Sequence, residues 1–195
     1  MKTINVSKYI SLSKKANGPG ARCVLFFQGC DKKCPECCNP ELQEFKEINQ
    51  SIDELALKIN NDIKKYNLRG ITLTGGEPLH LNNIKPIKEL LNKIEYNIDV
   101  FVFSGLTREE IKDIDFADLI ISGPYEETLK REKGLVASSN QEIIRLSNKF
   151  DDVSDEQILH GERIIEIYNS NGGVIISGLT NRKEILYGIY SNIKQ

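Results

Sequence analysis

Cys30, Cys34 and Cys37 stand at a C-x3-C-x2-C spacing inside the run Gln28-Gly29-Cys30-Asp31-Lys32-Lys33-Cys34-Pro35-Glu36-Cys37. Three thiols in one short loop form a metal-binding pattern. Structural zinc takes four ligands, and neither histidine, His80 or His160, lies at finger-like distance to supply a fourth. A 4Fe-4S cluster held by three cysteines suits the spacing better, with one iron left open to a ligand that is not protein.

All five cysteines fall between positions 23 and 38, an odd number crowded into one region, which argues against a disulfide framework. Cys23 lies in the apolar run 22–27 and reads as a small buried side chain. Cys38 follows Cys37 directly; the spacing selects Cys37 as the third ligand and leaves Cys38 as a spare thiol beside the centre. Lys32 and Lys33 read as solvent-exposed. His80 reads as polar packing at a helix start, and His160 has no assigned role.

These cysteines need a scaffold, and the composition permits one. The chain has 195 residues, 39% hydrophobic, enough to bury a core, and its 28% of charged residues nearly cancel at a net charge of −2. That balance gives no reason to expect a nucleic-acid or membrane-surface partner. Neither a signal-peptide core nor a stretch long enough to span a membrane is visible, and reduced thiols suit a cytoplasmic setting. One domain is expected over residues 1–195, with a core at about 17–150 and an extension at about 151–195.

Strand and helix signals alternate after the cysteine loop. Residues 22–28 read as a buried strand that delivers the cysteines at its C-terminal end. Ser51 to Glu54 has a capping-box pattern and opens a helix carrying Leu55, Ile59 and Ile63. Residues 70–74 read as a strand, and Asn83 as the cap of a helix through Lys93 with Pro86 in its first turn. A strand at 99–103, a second capping-box pattern at Thr107 to Glu110 and a strand at 118–122 complete a parallel α/β set. Residues 163–168 and 174–177 flank a Gly-rich turn and read as a hairpin, followed by a closing helix at 181–193.

A second chemical signal, Thr74-Gly75-Gly76-Glu77-Pro78, falls where the second of these strands ends. In a parallel sheet the C-terminal strand ends share one face, so this segment and the cysteine loop belong on the same side.

With both signals in place, the chain resembles the radical S-adenosylmethionine (SAM) enzymes, and among them the activating enzymes of anaerobic (class III) ribonucleotide reductase. The three cysteines and the Gly-Gly-Glu-Pro segment carry the wider resemblance. Asn17-Gly18-Pro19-Gly20-Ala21-Arg22, Cys38-Asn39-Pro40-Glu41, Phe103-Ser104-Gly105-Leu106-Thr107, Ser122-Gly123-Pro124-Tyr125 and Ser138-Ser139-Asn140-Gln141 carry the narrower one.

The resemblance implies a partial, open (β/α) barrel with a C-terminal β-hairpin and helix, one 4Fe-4S cluster on Cys30, Cys34 and Cys37, and SAM chelating the open iron. It further implies SAM contacts at Gly75, Gly76, Glu77 and Pro78, adenine contacts at the backbone of Glu36 and Cys38, and a ribose contact at Ser104. The family usually carries an aromatic residue beside the third cysteine; here Glu36 and Cys38 stand there, and Ser122 stands where relatives often have aspartate. The implied reaction is reductive SAM cleavage to a 5′-deoxyadenosyl radical that takes a hydrogen from a glycine of a partner glycyl-radical enzyme, with electrons from a flavodoxin- or ferredoxin-type donor. No side-chain acid or base is required; the chemistry is the cofactor's. Two other readings stand beside it: a radical SAM enzyme acting on a small molecule or peptide, and a non-catalytic iron-sulfur or zinc protein.

Overall fold

The computed structural model describes residues 2–170 and 173–179. In chain order the elements are β1 (Thr3–Ile4), β2 (Val6–Ser13), β3 (Arg22–Phe27), β4 (Gln50–Ser51), α1 (Ile52–Tyr66), β5 (Gly70–Gly75), α2 (Leu81–Leu91), β6 (Asp99–Ser104), β7 (Leu119–Ser122), β8 (Glu142–Arg145), α3 (Asp155–His160), β9 (Glu166–Ser170) and β10 (Gly173–Ser177). The expected closing helix at 181–193 lies outside the described residues. No helix among those described is long and apolar enough to cross a membrane.

A mixed α/β architecture is built on a six-stranded sheet of order β2-β3-β5-β6-β7-β8. Its four central strands run parallel, Arg22 pairing with Gly70, Gly70 with Asp99 and Phe101 with Leu119 at successive seams. The edges β2 and β8 are antiparallel to their neighbours. Parallel strands are covered on both faces, which is why β3 and β7 are buried at every position.

Alternation along the strands assigns the two faces. Leu25, Leu73, Val102 and Ile120 face the helical layer, where Leu55, Ile59 and Ile63 of α1 and Ile84, Ile87 and Leu90 of α2 pack on them. On the other face the described residues form two separate patches. Phe101, Leu119 and Ile121 meet Val136, Phe150, Val153 and Ile158. Ile10, Val24 and Phe26 meet Leu42, with Tyr168 and Ile175 of the β9–β10 hairpin packed against them. Between the patches β5 presents Thr72 and Thr74, and Phe26, Thr74 and Phe103 line a cavity.

Helix α1 forms as its sequence indicates: Ser51 Oγ accepts from Glu54 N at 3.4 Å, acidic residues occupy the first turn, and Asn67 ends it in the left-handed region. Helix α2 begins earlier than expected. His80, not Asn83, is the cap, its Nδ1 accepting from Asn82 N at 3.3 Å, while Asn83 donates to the Glu77 carbonyl at 3.0 Å. Pro86 therefore lies inside the helix rather than in its first turn.

The Thr107 pattern opens no helix. Glu110 does accept from Thr107 N at 2.8 Å, but it also pairs with Lys32, and Asp113 turns the chain at φ 56° before a helix forms. The hairpin is present with slightly shifted strands, whereas β1, β2, β4, β8 and α3 had no counterpart in the sequence reading.

Candidate functional site

Four parallel strands end on one edge, and the residues just beyond them, Cys30, Gly76, Gly105 and Gly123, all line one cavity of about 450 Å3. The cysteine loop forms one side. It is pinned at its start by Gly29 N to Leu42 O (2.8 Å) and Cys30 N to Gln43 O (3.0 Å), and in its middle by Gln43 Nε2 donating to the Cys34 carbonyl at 3.3 Å. Gln28 donates to the Glu44 carbonyl at 2.5 Å, which closes the loop on itself. Lys33 (φ 47°) and Glu36 (φ 54°) take left-handed backbone, the sharp bends that bring Cys34 and Cys37 back toward Cys30.

Cys30, Cys34 and Cys37 each line the cavity and are partly exposed. Burial pushes the Cys30 and Cys34 thiols up. Cys37 is instead lowered to about 6, chiefly by the hydrogen bond from the Cys38 side chain, with Asn39 N donating to its sulfur at 3.4 Å. Among the described residues no three His, Cys, Asp or Glu side chains are gathered tightly enough to enclose a single metal ion. The donor set nevertheless fits a cluster: three sulfurs from one loop, opening on a common space with no fourth cysteine in the wall beyond Cys38.

The Gly-Gly-Glu-Pro segment docks directly on this loop. Gly76 N donates to Phe27 O at 2.9 Å and Glu77 N to Gly29 O at 2.8 Å. A Cβ on Gly75, where φ is +106°, falls 2.6 Å from Phe27 N, and one on Gly76 falls 2.3 Å from Gly29 O. Both glycines are thus demanded by the approach of two strand ends, whatever else they touch. Gly75 and Gly76 line the cavity; Glu77 and Pro78 are buried behind them, outside its lining.

Glu77 is 2% exposed. Its carboxylate accepts from Ser104 Oγ at 2.8 Å, Leu79 N at 2.9 Å and Gly105 N at 2.7 Å, joining the ends of β5 and β6. Burial raises its pKa against the opposing pull of these hydrogen bonds. Ser104 lines the cavity, but its hydroxyl donates to Glu77 and accepts from Leu106 N at 3.1 Å. Glu36 and Cys38 line the cavity beside Cys37.

Sequence reasoning missed the opposite wall, which comes from Tyr125, Lys130, Leu135, Arg163 and the segment Ser177, Gly178 and Leu179. Gln141 of the Ser-Ser-Asn-Gln run acts as a clamp there. Its Oε1 accepts from Ala137 N (2.9 Å) and Ser138 N (3.2 Å), and its Nε2 donates to Gly123 O at 2.8 Å. The run itself was the available signal. Lys32 crosses from the cysteine loop to Glu110 at 2.6 Å rather than standing free in solvent.

Comparison with known proteins adds three findings. A family model described as a 4Fe-4S single cluster domain matches residues 16–144. The anaerobic ribonucleoside-triphosphate reductase-activating protein of Enterobacteria phage T4 is 32% identical over 133 residues, 65% of this chain and 85% of that one. The protein of the same name from Salmonella typhimurium is 31% identical over 142 residues, 67% of this chain and 92% of that one.

Proposed function

Because the chain belongs to the 4Fe-4S single cluster domain family and to the family of anaerobic ribonucleoside-triphosphate reductase-activating proteins, we propose that it is a radical SAM activase. In this reading Cys30, Cys34 and Cys37 hold a 4Fe-4S cluster and SAM completes its open corner. The observation that carries it is the convergence of those three cysteines with Gly75 and Gly76 on one cavity of about 450 Å3. Loaded, the centre would supply one electron to cleave SAM into methionine and a 5′-deoxyadenosyl radical able to take hydrogen from a partner's glycine and leave as 5′-deoxyadenosine.

The protein's own residues position and shield. Phe26 and Phe103 give the cavity an apolar floor that keeps water from the reacting atoms. Gly75 and Gly76 offer backbone groups to the amino-acid end of SAM, held in place by the hydrogen bonds of Gly76 N to β3 and of Glu77 N to the loop after it. Glu77 and Pro78 act from behind, Glu77 fixing the Ser104–Gly105 turn, so that Ser104 meets the ribose in a set orientation. The backbone at Glu36 and Cys38 flanks the adenine.

The partial barrel belongs to the same reading, with the four parallel strands as its staves, the chain forming one domain over residues 1–195. A loop of the partner glycyl-radical enzyme, anaerobic ribonucleotide reductase, enters the cavity; a flavodoxin- or ferredoxin-type protein donates the electron in the cytoplasm.

Anaerobic reconstitution with iron and sulfide, then dithionite and SAM, tests this. Wild type is expected to yield 5′-deoxyadenosine and Cys34→Ala none. With the reductase present, a glycyl doublet in electron paramagnetic resonance is expected; SAM cleavage without that doublet would sink the activase assignment.

A further inference from the structure

Residue 144 ends the match to the cluster-domain family, yet Arg163, Ser177, Gly178 and Leu179 line the same cavity as the cysteines. The extension is therefore part of the site's wall. Among the described residues Arg163 is held there by backbone carbonyls: Nε donates to Gly134 O at 3.2 Å, and Nη2 to Val136 O at 3.3 Å and Lys133 O at 3.4 Å. Three carbonyls fix the guanidinium, and no carboxylate among the described residues forms an ion pair with it. The other cations that line this cavity among the described residues differ. Lys32 is offset by Glu110 at 2.6 Å, and Lys130 is exposed, where water screens it.

A cluster on three thiolates is negative, and each added electron makes it more so; its potential follows local charge, hydrogen bonding and exposure. We propose that Arg163 is a positioning residue for the metal centre, a fixed cation of the C-terminal extension that eases reduction of the cluster across the cavity. It is seated for this task, since it lines the cavity together with Cys30, Cys34 and Cys37. Glu132, an exposed carboxylate, opposes it from outside. The inference rests on the reading that Cys30, Cys34 and Cys37 hold the cluster.

An anaerobic redox titration of reconstituted protein without SAM, followed by cluster absorbance with iron and sulfide counted per chain, tests it. Arg163→Gln is expected to raise the oxidised-to-reduced ratio at fixed potential about tenfold, a fall of about 59 mV for one electron. Arg163→Lys is expected to keep most of the wild-type value. Glu132→Gln is expected to move the midpoint upward, a sign that remains readable if Arg163→Gln does not fold. An unchanged midpoint in fully loaded Arg163→Gln, equal shifts in Gln and Lys, or a Glu132→Gln midpoint that stays or falls overturns the role. A wild-type chain that takes up no iron counts against the cysteine assignment instead.

Discussion

Glu77 satisfies three donors that arrive from two strand ends, Ser104 Oγ and Gly105 N from β6 and Leu79 N from its own turn. Glutamine is nearly isosteric but turns one acceptor into an NH2 group that must face an N–H or O–H. The expected cost of Glu77→Gln is about 1–3 kcal/mol, the penalty of leaving a buried polar group unpaired. A lower urea midpoint at constant slope measures it; an unchanged midpoint would mean the carboxylate is not what joins β5 to β6. The spacing of Cys30, Cys34 and Cys37 was legible because all three ligands sit in one loop. The burial of Glu77 was not, because two of its three partners lie 27 and 28 residues away along the chain.

The hairpin shows the same division among elements. Its glycine-rich turn and flanking apolar runs marked β9 and β10, but nothing local marked where the pair docks. Glu166 does that: it accepts from Ser13 Oγ at 2.5 Å, Lys14 N at 2.7 Å, Lys15 N at 3.3 Å and Tyr168 OH at 2.7 Å, while Ser177 and Asn17 pair side chain to side chain. Burial alone would raise the Glu166 pKa, but the hydrogen bonds outweigh it and the folded value lies below the usual one. A depressed carboxylate stabilises above its unfolded pKa, about 4.3, and that contribution is lost as pH falls through the lower folded value. Hydrogen exchange at Glu166 to Ser170 is therefore expected to quicken as pH drops below about 4, after correction for intrinsic rates, and Glu166→Gln to flatten that dependence. Short β8 and six-residue α3 escaped the sequence because each is placed by its neighbours: β8 pairs with β7, and Arg145 on β8 reaches the α3 region through Phe150 O, Val153 O and Asp155.

At the scale of the molecule the sheet has two ends with different tasks. The C-terminal edge carries the cavity, and the N-terminal edge carries an ion network that runs from the buried Arg22–Asp99 pair out to the surface. Asp99 is 4% exposed and accepts from Arg22 Nη2 at 2.9 Å and Arg69 Nε at 2.5 Å, and Arg69 continues to Asp152 at 2.6 Å. Arg22 is fully buried, with Phe101 and Phe150 beside its guanidinium at 5.6 and 5.7 Å. A buried pair adds little net stability, but breaking one is costly because a lone charge stays behind. Asp99→Asn is expected to lose about 3–5 kcal/mol, a large share of the about 5–15 kcal/mol typical of a domain. The loss would appear in urea unfolding of the apo chain, while iron bound per folded molecule in the cold stays at the wild-type level. Cys34→Ala should give the reverse pattern, an apo midpoint near wild type with cluster uptake lost. If Asp99→Asn instead lost iron in proportion to stability, the two edges would not be separable, and the strands would be transmitting strain from the ion network to the cysteine loop through Phe27 and Gly76.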